Sequence, residues 1–461
     1  MASRTLLTDF AKLYTVENMY YAPSSTVPPY YNYPDSIYCF LSSVDPWDDD
    51  DNPPTPKQDQ QSLKSLLKRS FVSKKVTTSD ICPVIQRIDW SENTVYDYYQ
   101  DNIDMFEVDD NDYLIHNFYI KNRYDQIFKC LWNANGAPSV NEPFFEPGTY
   151  GTNNIYMGAD GYKWKYIYTI DSQLKIKFLD SGWLPVPIGI GYVPNPLINP
   201  KNLTVSPGIG NIDVINVLDG GSLYDPANSA LTVTVTGDGT GAAGTAVVED
   251  GIVTDIIVTN TGTNYSYANA SISSANGSGA ILSVPVSPIG GHGLDPISEL
   301  GCTNVMITCQ FDGSESGVIP TDITYYQIGL VVNPISVSSS PDNANGSIYK
   351  TSTDLIVASG FGLYESGEYV YQGTSLAEST FSAEVLSFDQ TSNIIKTINT
   401  KGTITNNAPV FGNLSRTVRT VLSSSSPNLI ALSGYPIFLE NRSGIQRSDD
   451  GTEQFKIVLG Y

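Results

Sequence analysis

Apolar and polar residues alternate over short stretches of this chain, and that alternation predicts a mainly β protein. The clearest case follows the Asp160-Gly161 turn, where Tyr162, Trp164, Tyr166 and Tyr168 fall on one side of a strand. Lys163, Lys165, Ile167 and Thr169 fall on the other, because successive strand side chains alternate faces. Four large rings on one face need a wide packing surface, which sets this strand deep in the protein. Downstream, Trp183-Leu184-Pro185-Val186-Pro187 reads as extended chain whose prolines end sheet pairing. Ile37-Tyr38-Cys39-Phe40-Leu41 is a short apolar strand, and Val84 to Trp132 reads as short strands between polar turns. Helical spacing at Leu6, Leu7, Phe10, Leu13 and Tyr14 predicts a first helix over 4–21, and a second is expected over 57–70.

Between 200 and 290 the aromatics thin out and an internal repeat emerges. Ile215-Asn216-Val217-Leu218-Asp219-Gly220-Gly221-Ser222-Leu223-Tyr224 matches Ile256-Ile257-Val258-Thr259-Asn260-Thr261-Gly262-Thr263-Asn264-Tyr265, 41 residues later. Gly239-Thr240-Gly241-Ala242 matches Gly277-Ser278-Gly279-Ala280 at 38 residues. Two copies of a strand, Gly turn, Tyr, strand unit predict a small all-β domain whose halves pack together. A further set of short strands at 367–373, 381–388 and 394–402 predicts a small barrel or SH3-like module over 345–425. Serine-rich stretches at 336–340 and 423–426 read as its linkers. The expected organisation is an α+β core with an N-terminal helix that carries two inserted all-β domains. The core takes 1–198, 293–340 and 428–461, the Gly-rich repeat domain 199–292 and the barrel 341–427.

Composition narrows the function. Charged residues make up only 16% of the chain, the balance being Tyr, Gly, Pro and small polar residues, which suits turn-rich β structure and hydrogen-bonding interfaces. A net charge of −23 argues against nucleic acid, since phosphate binding needs clustered cations. The one basic cluster, Lys64, Lys68, Arg69, Lys74 and Lys75, reads as a solvated segment or a dock for an acidic neighbour. The five cysteines have no CxxC spacing and are expected as buried free thiols. The N-terminal residues lack the apolar run of a signal peptide, and no stretch has the length of a membrane span. The expectation is a soluble protein made in a cytoplasm.

Candidate chemistry is sparse. Asp48-Asp49-Asp50-Asp51 lacks the spacing around a glycine turn that calcium loops use. Gly313-Ser314-Glu315-Ser316-Gly317 carries Glu where a nucleophile elbow needs Ser. His116 sits in an aromatic stretch and His292 between glycines, and both read as structural. With 48 acidic residues, no one carboxylate pair stands out for glycosidic cleavage. The residues give no catalytic, metal or cofactor site, and the chain is expected not to be an enzyme.

An ordered set of motifs resembles a known family. It comprises Asp45-Pro46-Trp47 before the acidic loop, Ile88-Asp89-Trp90, Phe128-Lys129-Cys130-Leu131, Asp160-Gly161-Tyr162-Lys163-Trp164-Lys165-Tyr166 and Leu184-Pro185-Val186-Pro187. Asn304-Val305-Met306-Ile307, Tyr326 to Pro334 with Asn333-Pro334, and Leu439-Glu440-Asn441-Arg442 continue it, with a closing strand over 453–459. Together they resemble the baseplate wedge subunit encoded by gene eight in large contractile-tailed phages. Gly290-Gly291-His292-Gly293 ahead of Pro296-Ile297-Ser298-Glu299-Leu300 is similar to the versions in phages of cyanobacteria. The resemblance implies a mostly β homodimer in each baseplate wedge of the virion, assembled in the bacterial host cytoplasm. It would contact other wedge proteins and hold the baseplate until contraction, with no catalytic residue, no nucleic acid and no membrane insertion. The repeat domain and the barrel look like insertions into the shared core. A binding module that recognises host glycan or a fibre protein through these inserts is the alternative.

Overall fold

The computed structural model describes residues 9–21, 36–43, 45–57, 59–148, 154–188, 210–225, 231–288, 291–315, 317–338 and 340–460. The protein is mostly β, with a few short helices and a closed six-strand barrel. It divides into two compact units, one built chiefly on Cys82–Met306 and the other on Asn18–Ile81 with Ile307–Val458.

In the first unit the strand Tyr162–Thr169 forms as expected and pairs with Gln126–Asn133. Its faces depart from simple alternation. Phe128 pairs with Tyr166 and Ile127 with Tyr168, so Ile167 is an extra residue bulged out of register. A bulge shifts the two-residue period by one, which turns Tyr168 onto the lysine side. Tyr162, Trp164 and Tyr166 therefore share a face with Phe128 and Cys130, while the Tyr168 hydroxyl donates to the Pro185 carbonyl at 2.9 Å. The stretch from Arg87 to Phe118 forms no regular strand, contrary to expectation; its backbone is held by isolated bridges at Asp89, Thr94 and Val108–Leu114 and by single hydrogen bonds such as Tyr99 N to Cys130 O.

The sequence repeat is a structural repeat. Gly221 and Gly262 both adopt positive φ (62° and 64°), as do Leu223 and Asn264 (62° and 65°) and Gly241 and Gly279 (86° and 87°). Asp219 accepts from the Gly221 N–H as Asn260 does from Gly262. The halves exchange strands. Asn216–Ser222 of the first pairs with Ser278–Ser283 of the second, and Ile252–Thr263 of the second with Thr240–Glu249 of the first. Each tyrosine lies across the other half's glycines: the Tyr265 hydroxyl accepts from Ala242 N, and the Tyr224 hydroxyl from Ala280 N. A Cβ on Gly239 or Gly277 would overlap these rings, so glycine is required there. Ile212, Ile215 and Tyr224 meet their counterparts Val253, Ile256 and Tyr265 in one core. The chain arrives and departs side by side, with Ser287 N donating to Asn211 O at 3.0 Å and Asn211 N to Ser287 Oγ at 2.9 Å.

The second unit holds an antiparallel sheet whose order is Ile348–Lys350, Ser70–Val76, Ile37–Ser42, Thr324–Val332, Tyr435–Gln446. Helix Gln60–Arg69 lies within the predicted 57–70. Asp59 caps it by accepting from Ser62 N at 2.9 Å, and Leu66 enters a core with Tyr38, Phe40 and Val331. Lys68 and Arg69 lie in its last turn, where cations suit the helix dipole. The barrel closes in the order Thr353–Val357, Ile394–Gly402, Phe381–Asp389, Tyr369–Gln372, Pro409–Gly412, Val418–Ser425. Leu355, Val370, Phe381, Val385, Ile395 and Val421 fill it. The serines at 423–425 are strand residues instead of linker. Ser423 and Ser424 pair with Ile356 and Leu355 in the strand that closes the barrel, and buried Ser336 bridges to Leu429. The first helix runs over Asp9–Tyr21; residues 4–8 of the expected helix lie outside the described residues.

Candidate functional site

Two places concentrate polar chemistry inside the protein. The first is the lysine face of the aromatic sheet. Lys129 lies in an otherwise apolar run, Ile127-Phe128-Lys129-Cys130-Leu131, and its side chain is wholly buried. Its ammonium sits 3.7 Å from the centroid of the Tyr99 ring and 3.3 Å from Glu299 Oε1. His292 Nδ1 lies 2.6 Å from the same Glu299 oxygen, and Tyr99 meets the imidazole edge-on. The Gly293 N–H donates to the other Glu299 oxygen. Glu299 reaches this point because Asp295 caps the short helix Pro296–Glu299.

Burial disfavours charge, and the partners decide which charges survive. Burial pushes Lys129 down to about 8 even though Glu299 pulls it back up. Burial alone would raise Glu299, but Lys129 and His292 bring it down to about 2. His292 is lowered, first by burial and then by the Lys129 charge, so it stays neutral at pH 7 and donates to Glu299. Lys163 on the same face pairs with Asp255 of the repeat at 2.6 Å, and Asn216 Nδ2 donates to Leu131 O at 3.0 Å. The repeat thus covers a polar face that the alternation leaves open. Burial of this kind fixes the positions of the Lys129, His292, Glu299 and Lys163 side chains.

The second place is where motifs of the resemblance meet. In the second unit the Trp47 indole donates to Arg442 O at 2.8 Å and packs edge-on against Tyr326. Asn441 joins them, accepting from Gln327 Nε2 at 2.7 Å and donating to Pro54 O at 2.6 Å. Asn333 turns the chain at φ 53° and accepts from Ser36 N, with Pro334 following it. Asp45 pairs with Arg69 at 3.2 Å beside Pro46. In the first unit Asp160, ahead of Gly161 at φ 84°, accepts from Val140 N and Asn141 N, and Trp90 donates to Ser139. Trp164 packs between Tyr96 and Tyr162, its indole N–H buried without a hydrogen-bond partner. Asp89 lies 3.3 Å from Lys121, and Pro185 pairs with Val84 two residues before Pro187. Lys129, His292, Glu299 and Gln327 all lie in motifs of the resemblance, and His292 is read there as structural; the convergence of the first three is not legible in the sequence, where a lysine inside an apolar run is the one local sign of it.

The remaining candidates are accounted for locally. His116 lies 3.8 Å from Asp97, Asp49 caps its own loop through Asn52, and the five cysteines are buried free thiols. In the basic cluster, Arg69 and Lys74 are committed to Glu384 and Glu315. Among the described residues no group of three or more His, Cys, Asp or Glu side chains converges as a metal site, and no helix is long and apolar enough to cross a membrane. No protein-family model matches the chain, and no curated protein matches it significantly.

Proposed function

We propose that this chain is a structural subunit of the baseplate wedge of a contractile phage tail, acting as a homodimer that links neighbouring wedge proteins. The observation that supports it most is the destination of the recurring motifs. Segments hundreds of residues apart, such as Trp47, Gln327 and Asn441–Arg442, meet in interlocked packing and hydrogen bonds. Joining segments so distant in sequence is what a scaffold subunit requires of its motifs. The engaged histidines and the tyrosine-rich composition agree with that reading. Labelling purified tails with antibody to this chain tests it: signal at the baseplate is expected, and unlabelled particles with a monomer in light scattering overturn it.

A second reading, recognition of a host glycan, rests on one feature. A cleft of about 430 Å³ on the barrel is lined by Tyr369, Ser379, Thr380, Ser382 and Lys401, a ring with hydroxyls of the kind that holds sugars. Glycan-array binding by the full chain that Tyr369→Ala abolishes would favour it; an array without signal removes it.

A further inference from the structure

In the unit built on Asn18–Ile81 and Ile307–Val458, a cleft of about 590 Å³ opens between the acidic loop and the sheet. The loop is pinned along the strand Tyr435–Gln446 at three points: Trp47 Nε1 to Arg442 O, Asn441 Nδ2 to Pro54 O, and Ser443 Oγ to Asp50 O at 2.6 Å. The cleft is therefore a formed feature with fixed walls.

Gln327 lines it and is only 8% exposed. Its Nε2 is spent on Asn441 Oδ1, and Asn441 Nδ2 is spent on Pro54. Gln327 Oε1 is left buried with no hydrogen-bond partner. A buried acceptor without a donor is unfavourable, and a group that supplies the donor recovers that loss. The cleft is also lined by Asp45, whose side chain is 81% exposed, and by the exposed Asp48 and Asp49. Arg69 in the wall does not balance them, because it is already bridged between Asp45 and the buried Glu384 at 3.2 Å each, and the exposed Lys57, which also lines the cleft, offsets only one of the two remaining carboxylates. Trp47 and Leu439 supply an apolar surface suited to a methylene stem.

We propose that this cleft receives a lysine or arginine side chain presented by a basic segment of a partner protein. The cationic head would donate to Gln327 Oε1, with the aspartates spread along the cleft wall, and its stem would pack on Trp47. A divalent cation fits less well, since no three carboxylates converge there among the described residues. An anionic ligand meets the wrong charge. The chain's −23 would also steer a basic segment toward it from a distance.

The test is calorimetric titration of the full chain with short peptides of one length carrying Arg, Lys or Glu. Arg and Lys peptides are expected to bind, the Glu peptide not, with affinity falling about tenfold or more as salt rises. Gln327→Leu and the triple change Asp45→Asn, Asp48→Asn, Asp49→Asn should each weaken binding about tenfold. If Gln327→Leu does not fold, the exposed triple variant carries the test. Unchanged affinity in the triple variant, equal binding of the Glu peptide, or displacement of the Arg peptide by calcium at equal concentration overturns the proposal. It does not rest on the baseplate reading: labelled tails with no peptide binding would sink it alone.

Discussion

Lys129 keeps its place because three partners share one buried charge, and removing any of them exposes what the others cost. Lys129→Met leaves Glu299 buried without its counter-charge and should destabilise the protein by about 3–5 kcal/mol in urea unfolding. The double change Lys129→Met, Glu299→Gln should recover much of that loss. The pH dependence has a definite sign. His292 titrates below its ordinary value, so as pH falls through about 6.5 the unfolded chain takes up that proton first and stability declines. Glu299, held at about 2, contributes stability that is complete above its ordinary 4.5 and lost as pH falls toward 2. His292→Gln should flatten the decline that sets in below about pH 6.5 while leaving the lower limb. Trp164, packed between Tyr96 and Tyr162, should cost about 3–5 kcal/mol as Trp164→Ala, seen as a lowered melting temperature.

Elements whose information is local could be read from sequence. Tyr369–Gln372, Phe381–Asp389 and Ile394–Gly402 follow from alternation between turn residues, and helix Gln60–Arg69 falls inside the 57–70 expected to be helical. The repeat was visible because its Gly and Tyr positions answer to one geometry used twice. What escaped was set by partners distant in sequence. The bulge at Ile167 depends on the register against Gln126–Asn133, and no property of Ile167 announces it. The Gln327 acceptor is orphaned only because Asn441 turns its amide to Pro54. Serines at 423–426 looked like linker because small polar residues also suit an exposed strand. Within the barrel, buried Glu368 accepts from Glu365 N, Leu414 N, Ser415 N and Ser415 Oγ. Glu368→Ala leaves these donors unmet and should cost about 3 kcal/mol, read as faster hydrogen exchange across 353–425. By the twofold relation in the repeat, Gly239→Ala and Gly277→Ala should destabilise it to similar extents, each forcing a tyrosine ring aside.

For the whole molecule, burial sets the chemistry of the thiols. All five cysteines are buried, and burial raises Cys82, Cys130 and Cys302 above the ordinary thiol range. The native protein should therefore be silent to Ellman's reagent and release five thiols once unfolded. A fast-reacting thiol in the native protein would contradict the packing described. The proposed function rests on the order of motifs, because the sequence offers no local chemical signature.

The side-by-side arrival and departure of the chain at Asn211 and Ser287 has a mechanical consequence. Tension drawn along the polypeptide meets the pair Asn216–Ser222 and Ser278–Ser283 at its open end, where Asn216 faces Ser283. Its hydrogen bonds would break one after another, as in a zipper, instead of sharing the pull. The repeat would open from the Asn211–Ser287 end inward, strand pair first and four-stranded sheet after it.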